Sequence, residues 1–218
     1  MTREYEIFYH IAVMQSWHLS HDIIDAHLQS SGILNYCRNI YYCVNGDITQ
    51  VKLYLNLPND PRFHLVHLRE DASHYEFTTL NFLLQRSQTE NLDMLYIHSK
   101  GASQPINRRN GHNNHLDNMC YNVVSNYTEA RQALADGYDA AGLAYHVTPF
   151  PHFSGNCFWV RSEYVRQLSP LIYGVRNFNF YLDYPDRHDA EKWVCSRPGQ
   201  FFNMTHHYSQ SKYYGLTY

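Results

Sequence analysis

The sequence predicts an α/β domain built on a mostly parallel or mixed central sheet of about six strands flanked by helices. Short runs rich in aromatic and β-branched residues alternate with helical stretches along most of the chain. Strand and helix in turn, with short connections, give parallel strands covered on both faces. The 218 residues are 44% hydrophobic, which suffices for one full core. No internal repeat or low-complexity linker interrupts the chain, so residues 1–218 are read as a single domain.

Residues 5–14 (YEIFYHIAVM) read as a buried first strand. A helix is expected over about 20–31. Ser20 is placed to cap its start, Ile24 and Leu28 share a face, and Gly32 stands where a helix C-terminal glycine belongs. Residues 39–44 form a second strand ending at Asn45-Gly46, after which Asp47 caps a short helix that Pro58 stops. The third strand is 63–68, the next helix 75–86, and the fourth strand 92–97. Residues 104–114 are expected to be an irregular polar loop carrying Arg108 and Arg109, an arrangement suited to a lid. Residues 116–136 read as helix with a break near Asn126 and a stop at Gly137. Strands over 138–144 and 157–160 follow, then a helix over 162–168. The last part is aromatic and irregular, with one short helix near 189–195.

Charge and cysteine usage exclude several classes. Net charge is -3 with 17 Lys plus Arg, without the dense basic face that a nucleic-acid backbone needs. No window approaches the run of about 20 apolar residues of a membrane helix. The N-terminus passes from charges directly into a strand, without a signal-peptide cleavage site. Five cysteines with no CxxC spacing argue against a disulfide framework or zinc ribbon and for a reducing, cytoplasmic setting. His112 and His115 share a helical face, but no third ligand stands at a telling spacing for a zinc hydrolase.

In open α/β sheets, ligands bind beyond the carboxyl ends of the strands. That edge collects Gln15, Ser16, Asn45, Gly46, residues 71–73, residues 98–101, His146, Gly155 and Asn156. Among them Lys100 combines a cationic point charge with a neighbouring Gly101 that lets backbone approach a ligand.

Several of these segments are familiar as an ordered set: YHIAVMQSW (9–17), SGIL (31–34), YEFTTLNFL (75–83), LYIHSKGAS (95–103), HFSGNCFWVRSEYVRQL (152–168) and DRHDAEKWV (186–194). Together they resemble a family of glycosyltransferases with the Rossmann-related GT-A fold. That family is found in bacteria and in large DNA viruses, and includes a domain of a chlorella-virus capsid-glycosylating enzyme. The resemblance implies a nucleotide-sugar donor, usually a UDP-sugar, bound by residues 1–103, and a glycan or glycoprotein acceptor on residues 104–218. A viral member would work in the host cytoplasm. An end at Tyr218 without a tail suits a domain cut from a longer polypeptide. The donor-binding residues implied are Ala12, Met14, Asp71, Ser73, Thr79, His98, Ser99, Lys100, Gly155 and Asn156. Glu191, with Asp189 as the second choice, matches the acid lining the acceptor side.

The chain departs from the family where most GT-A enzymes place an Asp-x-Asp pair for Mn or Mg: here His98-Ser99-Lys100 stands instead. The metal candidates are His98 and the late His206, the latter adjoining His207. Two rival readings are a non-catalytic carbohydrate- or nucleotide-sugar-binding domain and a sugar nucleotidyltransferase. The second calls for a glycine-rich basic loop after the first strand, where Met14-Gln15-Ser16-Trp17 has neither glycine nor Lys or Arg.

Overall fold

The computed structural model describes residues 3–105, 110–175, 177–178 and 188–205. Four strands, β1 (Tyr5–Ala12), β2 (Asn39–Asn45), β3 (Phe63–Arg69) and β4 (Asp93–His98), run parallel. After a two-stranded hairpin of β6 (Tyr145–His146) and β7 (His152–Phe153), β8 (Phe158–Arg161) lies between β4 and β5 (Ala140–Leu143). β9 (Phe201–Met204) closes a seven-stranded sheet in the order β3-β2-β1-β4-β8-β5-β9. The expected α/β class is present with one strand more, because β9 forms in the stretch read as irregular. β8 is antiparallel to both its neighbours, while β9 pairs parallel with β5.

Alternation along the strands builds two cores. Tyr5, Ile7, Tyr9 and Ile11 of β1 point to one face with Leu95, Ile97 and Trp159. Phe8 points to the other with Met94, Tyr96, Phe158 and Val160. The first face is covered by α1 (Trp17–Ser30), α2 (Ile48–Leu55), α4 (Asn110–Cys120) and α5 (Tyr127–Ala135). The second is covered by α3 (Phe77–Ser87), α6 (Ser162–Val165) and α7 (Asp189–Trp193). Period-two strands with both faces apolar are what a sheet buried on both sides requires.

The caps are partly as expected. Asp47 accepts from Thr49 N at 2.8 Å, and Gly32 adopts φ 73 after α1. Ser20 does not cap α1, which starts at Trp17; its hydroxyl donates to Lys100 O at 2.8 Å and ties the helix to the end of β4. The polar stretch expected as loop is helical from Asn110, while Arg108 and Arg109 lie outside the described residues. The break near Asn126 is a π-helical turn, Tyr121–Ser125. Trp159 Nε1 donates to Val123 O at 2.7 Å and Asn126 Nδ2 to Tyr121 O at 2.8 Å, so carbonyls in this turn are served from outside the helical ladder. On the same face His27 is held between Asp117 and Ser125, each at 2.8 Å, bracing α1 against α4 and the π-turn.

One buried charge constrains the second face. Glu6 on β1 is fully buried, and its carboxylate receives Arg86 Nε and Nη2 at 2.9 Å each and Asn39 Nδ2 at 2.7 Å. Truncating the partner leaves a carboxylate with much of its charge uncompensated. Arg86→Ala is expected to cost about 3 kcal/mol or more in urea unfolding, whereas Glu6→Gln in the Arg86→Ala background should recover part of the loss.

Candidate functional site at the carboxyl edge of the sheet

The second face changes character at the carboxyl ends of its strands. Towards the amino ends it carries Phe8, Met94 and Phe158; at the carboxyl edge it carries His10, Cys43 and His98. His10 pairs in register with Cys43 on one side and His98 on the other. The loop before α3 brings Glu76 over this row.

His98 is the centre of the cluster. Its Nε2 lies 2.7 Å from Gly155 O, and its Nδ1 lies 3.2 Å from Glu76 Oε1. A carbonyl only accepts, so Nε2 carries the hydrogen and donates. The second carboxyl oxygen of Glu76 accepts from Asn156 Nδ2. Gly155 and Asn156 both adopt left-handed backbone, φ 79 and φ 55, a conformation that asparagine tolerates better than most residues. A Cβ at Gly155 would come within 2.6 Å of Met119 Sδ and 3.0 Å of His115 Nε2. This glycine therefore lets the turn sit directly on α4.

Burial, reinforced by the Lys100 charge, lowers the His98 imidazole to about 4. Burial lowers His10 to about 4 as well, and its Nδ1 lies 2.8 Å from Thr79 Oγ1. Burial raises the Glu76 carboxyl above its ordinary range; the negative charge of Glu191 adds to the rise, while His10, Asn156 and Lys100 oppose it. Lys100 and Glu191 thus lie close enough for their charges to act on both Glu76 and His98. Among the described residues, Asn156 Oδ1, buried in this cluster, makes no hydrogen bond; the buried Tyr96 hydroxyl faces Glu76, whose charge adds to the rise that burial gives the phenol.

The expected donor-binding residues fall into three groups. His98, Lys100, Gly155 and Asn156 come together, with Glu191 facing them. Ser99 and Thr79 are buried beneath: Ser99 Oγ accepts from Ala12 N at 3.0 Å, which also occupies the Ala12 amide, and Thr79 serves His10. Met14, Asp71 and Ser73 lie on exposed loops. Asp71 accepts from Ser73 N at 2.8 Å and approaches Arg69, so its carboxylate stabilises its own loop. Of the two acids on α7, Glu191 has 40% of its side chain exposed, 3.5 Å from His188. Asp189 is fully buried, 3.0 Å from Lys192 Nζ, and accepts from Asn177 N at 2.6 Å. Its geometry is that of a structural ion pair.

Glu76 and His10 escape a reading of the sequence alone. Glu76 lies in the singled-out segment 75–83, but a glutamate at a helix start is commonplace near the dipole's positive end. The signal that distinguishes it is spatial. Asn45, fully buried, donates to Tyr75 O at 2.8 Å and accepts from Thr78 Oγ1 at 2.9 Å. It thereby holds Tyr75 at φ 49 and fixes the residue that follows it.

The end of β4 does not fit a divalent cation. Both ring nitrogens of His98 are engaged by Gly155 and Glu76, and the position two residues on is a lysine. Among the described residues no group of three or more His, Cys, Asp or Glu is arranged to hold a metal. His206, His207 and the side chain of His112 lie outside the described residues. A cleft of about 660 Å³ opens at the opposite, amino-terminal edge, lined by Arg3, Glu4, Glu90 and Arg166. Its arginines are engaged with Glu163 and with the carbonyls of Ser87 and Glu90.

By sequence the chain belongs to the family described as Domain of unknown function (DUF8361), whose model matches residues 8–174. No curated protein matches. Two solved structures resemble the fold at a distance. One is 4-diphosphocytidyl-2C-methyl-D-erythritol synthase, with 8% identity, 94% of this chain and 91% of that chain covered, and a TM-score of 0.45. The other is a protein of Desulfovibrio desulfuricans G20, provisionally named a nucleotide-diphospho-sugar transferase, with 11% identity, 93% and 80% covered, and a TM-score of 0.43. No described helix is long and apolar enough to cross a membrane.

The two lowered histidines give a sign for acid stability. In the unfolded chain each takes up a proton near its ordinary value of about 6.5, but in the fold only near 4. Their contribution is therefore present above about pH 6.5 and lost as pH falls towards 4. Each should account for roughly 2–3 kcal/mol of that loss. His10→Asn is expected to flatten the decline between about pH 7 and about pH 4.5, read as the difference in denaturant midpoints between variant and wild type.

Proposed function

We propose that this chain transfers a sugar from a nucleoside diphosphate donor, of the UDP-sugar class, to a glycan or glycoprotein acceptor. The observation that carries the reading is that the charges of one lysine and one partly exposed carboxylate, Lys100 and Glu191, both act on the Glu76–His98 pair at the carboxyl edge of the sheet. Sugar transfer makes two electrostatic demands: negative charge grows on the departing diphosphate, and positive charge grows on the sugar ring. In this reading Lys100 meets the first and Glu191 the second, or Glu191 takes the proton of the acceptor hydroxyl. The donor lies on residues 1–103 and the acceptor on residues 104–218. No step is assigned to a divalent ion, because the residues at β4's end do not fit one. A member of a longer polypeptide, or of a viral capsid-glycan pathway, would use the same edge.

Calorimetry tests the donor: UDP should bind, and ADP and NAD should not. Lys100→Ala should weaken UDP binding about tenfold to a hundredfold, as a charge-assisted bond of roughly 1.5–3 kcal/mol implies, and leave uridine binding unchanged. Equal affinity of wild type and variant for UDP would remove Lys100 from the site.

The acid is tested by donor hydrolysis, which also separates an enzyme from a binding module that releases no nucleoside diphosphate. Glu191→Gln should reduce turnover by at least about a hundredfold with UDP affinity little changed. Asp189→Asn should instead lower thermal stability, since it disturbs the buried pair with Lys192. Full turnover in the Glu191→Gln variant would exclude this residue.

A further inference from the structure

We propose that Glu76 is a neutral carboxylic acid sharing its proton with His98, and that this uncharged pair leaves the charge of Lys100 uncancelled for an anionic ligand. The second clause rests on the reading of Lys100 given above; the first does not.

The proton is located by geometry. Gly155 O, 2.7 Å from His98 Nε2, fixes the hydrogen on that nitrogen. The neutral ring then presents a lone pair at Nδ1, 3.2 Å from Glu76 Oε1. A carboxylate there would set two acceptors against each other in a largely buried site; a carboxylic acid gives the contact a donor. Asn156 Nδ2 donates to the other oxygen, so it steers the acid proton towards the His98 side. The alternative one-proton form, imidazolium with carboxylate, sets a charge on the buried His98 ring and another on the partly buried Glu76, and is disfavoured by the same burial that depresses His98 and raises Glu76.

The groups facing the pair come from every element packed on it. His10 on β1, held neutral, lies on the sheet side with Tyr96 on β4. Lys100 stands beyond β4, Glu191 on α7, and Cys157 before β8, its thiol pushed up by burial. Lys100, the one cation among the described groups facing the pair, would face two glutamates if both were ionised. With Glu76 protonated it faces one. As the pair loses its proton at higher pH, a negative charge appears beside Lys100, and affinity for a diphosphate falls.

Glu76→Gln mimics the protonated acid: the amide donates towards His98 Nδ1 and its carbonyl accepts from Asn156. The first measurement is the infrared difference between wild type and Glu76→Gln at about pH 7. The expected result is the carbonyl stretch of a protonated carboxylic acid, present in wild type alone. Nitrogen-15 shifts of His98 in the wild-type protein give the same answer without substitution, the expected state being the neutral Nε2–H tautomer. The second measurement is UDP calorimetry from about pH 7 to about pH 9, where the diphosphate keeps its charge. Wild-type affinity should fall, by about tenfold once the pair has lost its proton, and Glu76→Gln affinity should stay within about twofold of its starting value. A missing acid band or an imidazolium at His98 overturns the proton assignment. A variant with the wild-type pH slope, or about tenfold weaker at pH 7, overturns the role towards Lys100. If UDP binds neither protein, the donor reading and the Lys100 role fail, and the band and the His98 tautomer still decide the proton.

Discussion

His98 is the joint on which the carboxyl edge is assembled. Its ring leaves the end of β4 and meets the carbonyl of Gly155 on one side and the carboxyl of Glu76 on the other. One buried imidazole thereby links a central parallel strand, the start of α3 and the turn that feeds the antiparallel β8. Asn156 closes the loop by bonding Glu76 from that same turn. His98 and Asn156 are buried and Glu76 is partly so, and the groups meet much of one another's hydrogen-bonding need. The left-handed Gly155-Asn156 pair is the backbone form that this mutual dependence requires.

The sheet separates its polar groups by face and by end. On the α1 side the principal brace is His27 between Asp117 and Ser125. On the α3 side, Glu6 is answered by Arg86 near the amino end, and the histidine row sits at the carboxyl end. The two halves of the α3 face differ in how charge is handled. Glu6 receives a guanidinium in a two-point contact, a geometry that fixes a carboxylate. Glu76 receives an amide from Asn156 and faces the lone pair of His98, with no guanidinium on it among the described residues.

Much of the fold was legible in the residues, because periodicity survives without knowledge of neighbours. YEIFYHIA gives a strand buried on both faces, and Asp47 and Gly32 mark helix ends. What one sequence does not encode is direction. The run around Phe158, Trp159 and Val160 reads the same whether β8 lies parallel or antiparallel; the chain reverses through the β6–β7 hairpin between β5 and β8, which sets β8 antiparallel. β9 was hidden because FFNM is four residues long and draws its pairing from the distant β5. At the site, Lys100 and His98 were visible as strand-end residues, whereas Glu76 became distinctive only once Asn45 and the β4 end were seen to surround it. Asp189 and Glu191, two residues apart, were separable in sequence only by facing direction. Burial of the one beside Lys192 and exposure of the other supply that direction.

The π-helical turn at Tyr121–Ser125 works as a phase shifter between two helices. One extra residue in a turn rotates everything after it by about 100° relative to an uninterrupted α-helix. Before the shift, α4 presents Asp117 to His27 and packs Met119 under Gly155. After it, α5 turns Ala130 and Leu134 into the core and Arg131 towards Asp93 at the start of β4. Trp159, donating from β8 into the turn, keys that rotation to the sheet. Asn126, at φ -100 and ψ 31, adds a break of its own after the turn, so the two helices are set separately: α4 serves the carboxyl edge at Gly155, and α5 serves the opposite end of the strand that carries His98.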